Sequence, residues 1–316
     1  MLAKSVPQYK YIHLLGGIYT LNGATLEIGS AAYIDGSNTL IGFGGNSPLI
    51  HFSFALGGGV LSNVSLSPGT NSPEPSILID GGGQLRIFNS TIKKGIKITA
   101  GSLTISKSTF QERNDIDVGI DCSAGAMVSV TGSTFTPSIV NSTGCNLTLE
   151  RNRFEVVTGP CFGAYGGTAM IENNVFTGST QLDDCGGFSN LSAGSTVRFN
   201  TFVNTSDVVA DGSPLHCDHT ATVTSNVFAW GSTAPNTGGC TPTYSLYDSA
   251  NTEPLGMGSF KGDVTTFFAD KAAKNFHLAA HSPAIGKAES GTGVTSDFDG
   301  VSRPASGPDI GAFEGH

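Results

Sequence analysis

Apolar and polar positions alternate along this chain in short bursts, and the bursts recur. The hexapeptides LSNVSL (61–66), IFNSTI (87–92), ISKSTF (105–110), VTGSTF (130–135), LERNRF (149–154), IENNVF (171–176), VRFNTF (197–202) and VTSNVF (223–228) share one form. Each begins with an apolar residue, carries Asn, Ser or Val at its fourth place, and ends in Phe, Ile or Leu. Their end points lie 18 to 26 residues apart. Alternation with period two predicts a strand with one buried face. A strand-like unit recurring at this interval predicts a solenoid. Within each unit one strand runs in, a small polar pair turns the chain, and a second short strand starts at Thr-Phe or Val-Phe. Asn tolerates the left-handed conformation that so tight a bend needs. Asn152, Asn174, Asn200 and Asn226 share the fourth place of successive units. Stacked about 4.8 Å apart, they would form a ladder of side-chain amides. Phe110, Phe135, Phe154, Phe176, Phe202 and Phe228 would form a parallel ladder in the core.

These expectations define an all-β parallel β-helix with rungs of 18 to 26 residues, in which each rung pairs with the next and only the end rungs keep open edges. The pattern resembles the right-handed parallel β-helix, or pectate-lyase-like, superfamily. The alternative solenoid, a leucine-rich repeat, lacks its leucine spacing here. Composition agrees: charged residues make up 13% of the 316, and Gly numbers 43, which suits many short strands and tight turns. The formal net charge of −9 excludes a nucleic-acid partner, which needs a basic surface. No apolar run reaches the length of a transmembrane segment, and MLAKSVPQYKYIHLL lacks the core of a signal peptide. Because IHLLGGIYTLNG already reads as strand and turn, the sequence is expected to begin inside the fold, with a leader and N-terminal cap preceding it.

From about residue 263 the repeat gives way to FFADKAAKNFHLAAHSPAIGKAESGTGVTSDFDGVSRPASGPDIGAFE. Phe276 to Leu278, Ser282 to Ile285, Asp297, Asp299, Gly300, Arg303 and Asp309 to Glu314 resemble the C-terminal element of bacterial β-helix proteins of the choice-of-anchor type. The match departs at Gly286-Lys287. The resemblance implies an extracellular or cell-surface location and implies no reaction. We divide the chain into a β-helix at 1–245 and an irregular tail at 246–316 that caps the last rung, as solenoids require. Arg303 is expected to pin the tail through Asp309, Glu314 or Asp299. Asp297 and Asp299 read as a plain turn, with calcium as the alternative.

Six cysteines fall one per rung: Cys122, Cys145, Cys161, Cys185, Cys217 and Cys240. Pairing neighbours gives Cys122–Cys145, Cys161–Cys185 and Cys217–Cys240, each separated by about one rung, within disulfide reach. A ladder of free buried thiols is the alternative. No CxxC or structural-zinc spacing occurs, so no metal site is assigned.

The segments GIDCSA, PCFGAY, DDCGGF and LHCDHT would lie on one long parallel sheet. With each Cys inward, its neighbours point outward. Asp184, His216 and Asp218 then form a candidate catalytic patch, the two carboxylates as acid and base for glycoside hydrolysis and His216 tuning one of them. The pair Asp183-Asp184 resembles that of β-helix polygalacturonases, whose Gly-His-Gly and Arg-x-Lys motifs are absent. Phe162, Tyr165 and Asp121 are the expected substrate contacts. No cofactor is assigned, with calcium at Asp115, Asp117 and Asp121 as the exception to consider. Lys97 and Arg113 are the nearest cations for a lyase. The function expected is an exported protein that binds or degrades polysaccharide or a cell-surface glycan along the long sheet. The alternatives are a non-enzymatic adhesin or filament subunit and a calcium-dependent lyase.

Overall fold

The computed structural model describes residues 10–21, 24–42, 47–55, 57–68, 74–111, 118–123, 125–136, 139–156, 162–165, 167–178, 188–205, 215–217, 221–230, 241–252 and 254–315. It is a parallel β-solenoid. Almost all regular structure is strand; the one helical turn among the described residues is the 3-10 turn Val264–Thr266. No helix there is long and apolar enough to cross a membrane. The chain forms two compact units, Met1–Leu147 and Thr148–His316.

Each regular rung contributes three short strands. In the first unit a typical rung runs Gln84–Phe88, Thr91–Lys93 and Ile96–Ile98. We call the corresponding sides the first, second and third faces. The described rung strands pair in parallel with their counterparts one rung on, as Leu103 with Val128 on the first face and Phe110 with Phe135 on the second, while Phe268–Asp270 and Asn275–Leu278 in the tail pair antiparallel. The second-face strands begin at the expected dipeptides: Thr109–Gln111, Thr134–Thr136, Val175–Gly178, Thr201–Asn204 and Val227–Ala229.

The bend inside each hexapeptide works differently from the expectation. Its left-handed residue is the third, not the fourth: Asn63, Asn89, Lys107, Arg151, Asn173, Phe199 and Ser225 all have φ between 47° and 58°. The fourth residue supplies the ladder. In the second unit the backbone N–H of Asn152, Asn174 and Asn200 donates to Oδ1 of Asn174, Asn200 and Asn226 at 2.8, 2.9 and 2.9 Å. Each of these side-chain amides also donates to the next Oδ1. In the first unit serine does the same work: Val64 N–H donates to Ser90 Oγ, Ser90 to Ser108 and Ser108 to Ser133 at 3.1 to 3.3 Å. The turn buries backbone N–H groups, so one acceptor per rung is obligatory. A left-handed third residue aims the fourth side chain down the stack to provide it.

The phenylalanine ladder forms as expected. Phe110 stacks on Phe135 at 4.5 Å in the first unit; in the second, Phe154, Phe176, Phe202 and Phe228 stack at 4.7 to 5.2 Å. All are buried, each contributing about 2–3 kcal/mol of burial. The stack continues one residue past the repeat recognised in sequence. Tyr247 lies 4.9 Å from Phe228, with Tyr244 left-handed and Ser245 Oγ accepting from Asn226 N–H. PTYSLY (242–247) is therefore a ninth unit, and parallel pairing goes on beyond residue 245 through Leu246–Asp248 to Phe260–Gly262.

The tail then packs back on the rungs of its own unit. Phe267, Phe276, Ala284, Ile310, Ala312 and Phe313 join Val175, Phe199, Val203 and Val227 in one buried cluster. The final Asp-Ile-Gly-Ala run needs its glycine: at Gly311, φ is +98° and an added Cβ would stand 2.8 Å from Val227. Its N–H donates to Ser225 O, and Ala312 N–H donates to Thr201 Oγ1. Asp297 is a plain turn, as expected. Its Oδ1 accepts from Asp299 and Val301 N–H, and its Oδ2 from Glu314 N–H.

Candidate functional site

The third face of the first unit is built from Leu26–Ile28, Ile50–Phe52, Ile77–Ile79, Ile96–Ile98, Val118–Ser123 and Ile139–Thr143. The alternation apolar–polar–apolar decides what faces where. Ile50, Ile77, Ile96 and Ile120 are buried, so the middle residue of each strand must point out. Register then lines up Glu27, His51, Leu78, Lys97, Asp121 and Asn141 in one outward row.

Two contacts organise this row. Asn141 Nδ2 donates to Asp121 Oδ1 at 3.1 Å, which fixes the carboxylate of the expected substrate contact between an amide and Lys97. At the other end, His51 sits between two acids, with Nδ1 at 2.7 Å from Glu27 Oε2 and Nε2 at 2.9 Å from Asp80 Oδ2. The second contact is short but lies off the hydrogen-bonding direction, and Nε2 is otherwise buried without a partner. The imidazole has about one fifth of its surface exposed, while both acids are nearly half exposed. The site thus holds an imidazole within contact distance of two carboxylates at a solvent-facing position.

Sequence reasoning did not single out Glu27, His51 or Asp80. The signal was present: LEI and IHF both alternate apolar–polar–apolar one rung apart, which pairs Glu27 with His51. The early rungs lack a clear hexapeptide, so their register was not extended to them.

The expected catalytic patch lies largely outside the described residues. His216 belongs to the third-face strand Leu215–Cys217, which pairs with Phe188–Leu191 through Phe188↔Leu215 and Leu191↔Cys217. Its strand neighbours therefore lie between Phe188 and Leu191. Asp184 and Asp218 lie outside the described residues. Phe162 and Tyr165 bound the third-face strand Phe162–Tyr165, with Phe162 in register with Phe188.

Of the three expected disulfides, Cys122–Cys145 is present, with Cα atoms 5.9 Å apart. Its route differs from simple stacking. Cys122 is level with Ser142, and Cys145 lies beyond the end of the Ile139–Thr143 strand, so the bridge runs diagonally. Cys161, Cys185 and Cys240 lie outside the described residues, as do Asp115, Asp117 and Arg113. Among the described residues no three or more His, Cys, Asp or Glu side chains converge as a metal site.

Fold and site together define a class, a parallel β-solenoid with polar, titratable outward rows. In comparison with known proteins, no family model matches the chain, and no curated protein matches it.

Proposed function

We propose that this is an exported or cell-surface polysaccharide-binding protein whose third face is the binding surface. The observation that carries the reading is the outward row from Glu27 to Asn141, in which acid and imidazole, then ammonium, carboxylate and amide, stand at rung spacing with Leu78 as the one apolar member between the two groups. A straight row of donors and acceptors spaced about 4.8 Å apart suits a linear chain of repeating hydroxyl-bearing units. The disulfide fits an oxidising compartment. Pectate-lyase-like relatedness and a choice-of-anchor tail are part of the same proposal. So is a hydrolytic centre with Asp184 and Asp218 as acid and base beside His216.

The test is a screen of the purified protein against plant, algal and bacterial polysaccharides. Binding is followed by affinity electrophoresis, and turnover by new reducing ends and by the ultraviolet absorbance of an unsaturated product. Retardation by at least one glycan, reduced in Lys97→Ala and Asp121→Asn, is expected. Reducing ends without absorbance, lost in Asp184→Asn and Asp218→Asn, would establish hydrolysis; both signals together would establish elimination. No retardation with any glycan, with or without calcium, would transfer the assignment to a non-enzymatic structural protein.

A further inference from the structure

A second outward cluster stands on the first face of the first unit. The strand Lys10–His13 pairs with the start of Ala32–Gly42, bringing Tyr11 level with Tyr33 and His13 level with Asp35. The Tyr11 and Tyr33 rings stack at 4.9 Å, 16° from parallel. Along the strand, the Tyr11 and His13 rings lie 6.4 Å apart and within 5° of parallel. Two near-parallel aromatic rings thus follow one another along the strand, with Tyr33 stacked on the first of them. Burial does not account for this, because Tyr11 is 65% exposed and the His13 side chain 43%. The stack on Tyr33 and a hydrogen bond with Asp35 hold the Tyr11 ring in place while leaving it open to solvent.

Asp35 holds the arrangement from below. Its Oδ1 accepts from Asn63 Nδ2 at 2.9 Å and Ser62 Oγ at 3.2 Å, and its Oδ2 lies 3.4 Å from His13 Nδ1. The Asn63 hydrogen bond, followed by that of Ser62, keeps the Asp35 carboxyl below the usual carboxylate range, so it is ionised at neutral pH. With Nδ1 turned to Asp35, His13 keeps Nε2 for an outside partner.

We propose that Tyr11 and His13 form a stacking platform for the pyranose rings of a neutral glycan, with Asp35 as the positioning residue. The chemistry selects the ligand. A pyranose offers an apolar C–H face to an aromatic ring and hydroxyls to the polar groups at its edge. Two parallel rings along one strand address two successive sugars. A fixed carboxylate beneath them disfavours a uronate, whose own charge would be repelled. The platform lies on a different face from the row from Glu27 to Asn141, and its residues are independent of that row.

The experiment is calorimetric titration of the full chain with cellohexaose, xylohexaose, mannohexaose and hexagalacturonate. The variants are Tyr11→Ala, Tyr11→Phe, His13→Ala and Lys97→Ala, with circular dichroism as the check on folding. At least one neutral hexasaccharide is expected to bind. Loss of a stacked ring should weaken it about tenfold in Tyr11→Ala and in His13→Ala. Tyr11→Phe should retain wild-type affinity within about threefold, and Lys97→Ala reports separately on the third-face row. Should Tyr11→Ala lose its native spectrum, His13→Ala decides alone. The proposal is overturned if no neutral hexasaccharide binds, or if folded Tyr11→Ala and His13→Ala bind as wild type does. Loss in Lys97→Ala alone also overturns it, while leaving the third-face function standing. Binding of hexagalacturonate alone has the same two consequences.

Discussion

Arg303 ties the tail to the rungs of its unit. Its guanidinium pairs with Glu314, donates to the carbonyls of Asp309 and Gly311 at 3.1 and 2.7 Å, and donates to Asn173 Oδ1 at 2.8 Å. It also lies 4.2 Å over the ring of Phe199, which offsets the cost of a bulky left-handed residue there. Burial pushes the Arg303 pKa down and the Glu314 carboxyl up, and each charge opposes the shift of the other. Arg303→Met should therefore leave an uncompensated acid and cost about 3–5 kcal/mol in urea unfolding. The sign of its pH dependence follows from Glu314. A raised carboxyl favours the folded state once protonated, so the deficit should be largest at neutral pH and shrink as pH falls through the raised Glu314 value. Asp35 behaves in the opposite sense, since its folded pKa is depressed. The stabilisation lost in Asp35→Asn should be constant above the ordinary carboxylate range and vanish as pH falls through the depressed value. Melting temperatures of variant and wild type against pH measure both. Arg303 and its acidic partner were legible in the tail motif. The contact with Asn173, 130 residues away, was not, because nothing local in either segment encodes which rung the tail reaches.

At the level of the element, the fourth place is a hydrogen-bond relay, built from serine after Val64 in the first unit and from asparagine, ending in Ser245, in the second. Asn200 is buried. Its Oδ1 accepts the Asn174 N–H, and its amide serves the carbonyls of Ile171 and Arg198 and Oδ1 of Asn226. Asn200→Ala removes all of these at once, and an unsatisfied buried group costs about 1–3 kcal/mol. Ser90 and Ser108 show that a hydroxyl can accept the rung's N–H and donate to its own turn. Asn200→Ser should therefore lose about half as much stability as Asn200→Ala; equal losses by chemical denaturation would mean that the relay bond is not what the fourth place provides. This element was the most readable part of the sequence, because identical side chains at one place must stack once the rungs do. What the repeat hid was the division of labour between third and fourth places. Asn, Lys, Arg, Phe and Ser all occupy the left-handed third position, so residue type there carries no common signal.

For the whole molecule, parallel pairing commits the interior to ladders and leaves recognition to the outward rows. Under the proposed function, the balance of charge decides which glycan is accepted. The chain carries a formal −9, and both outward clusters of the first unit contain ionised or ionisable acids. A polyuronate approaching it is repelled at long range, and a neutral glycan is not. Raising the ionic strength from about 10 mM to about 150 mM shortens the screening length from about 30 Å to about 8 Å. Any affinity for polygalacturonate should therefore rise over that range, whereas affinity for a neutral hexasaccharide should stay flat. Affinity electrophoresis at the two salt concentrations distinguishes the cases. A polyuronate that binds more weakly as salt is added would mean that Lys97 dominates the local field, and would assign the third face to an acidic polysaccharide.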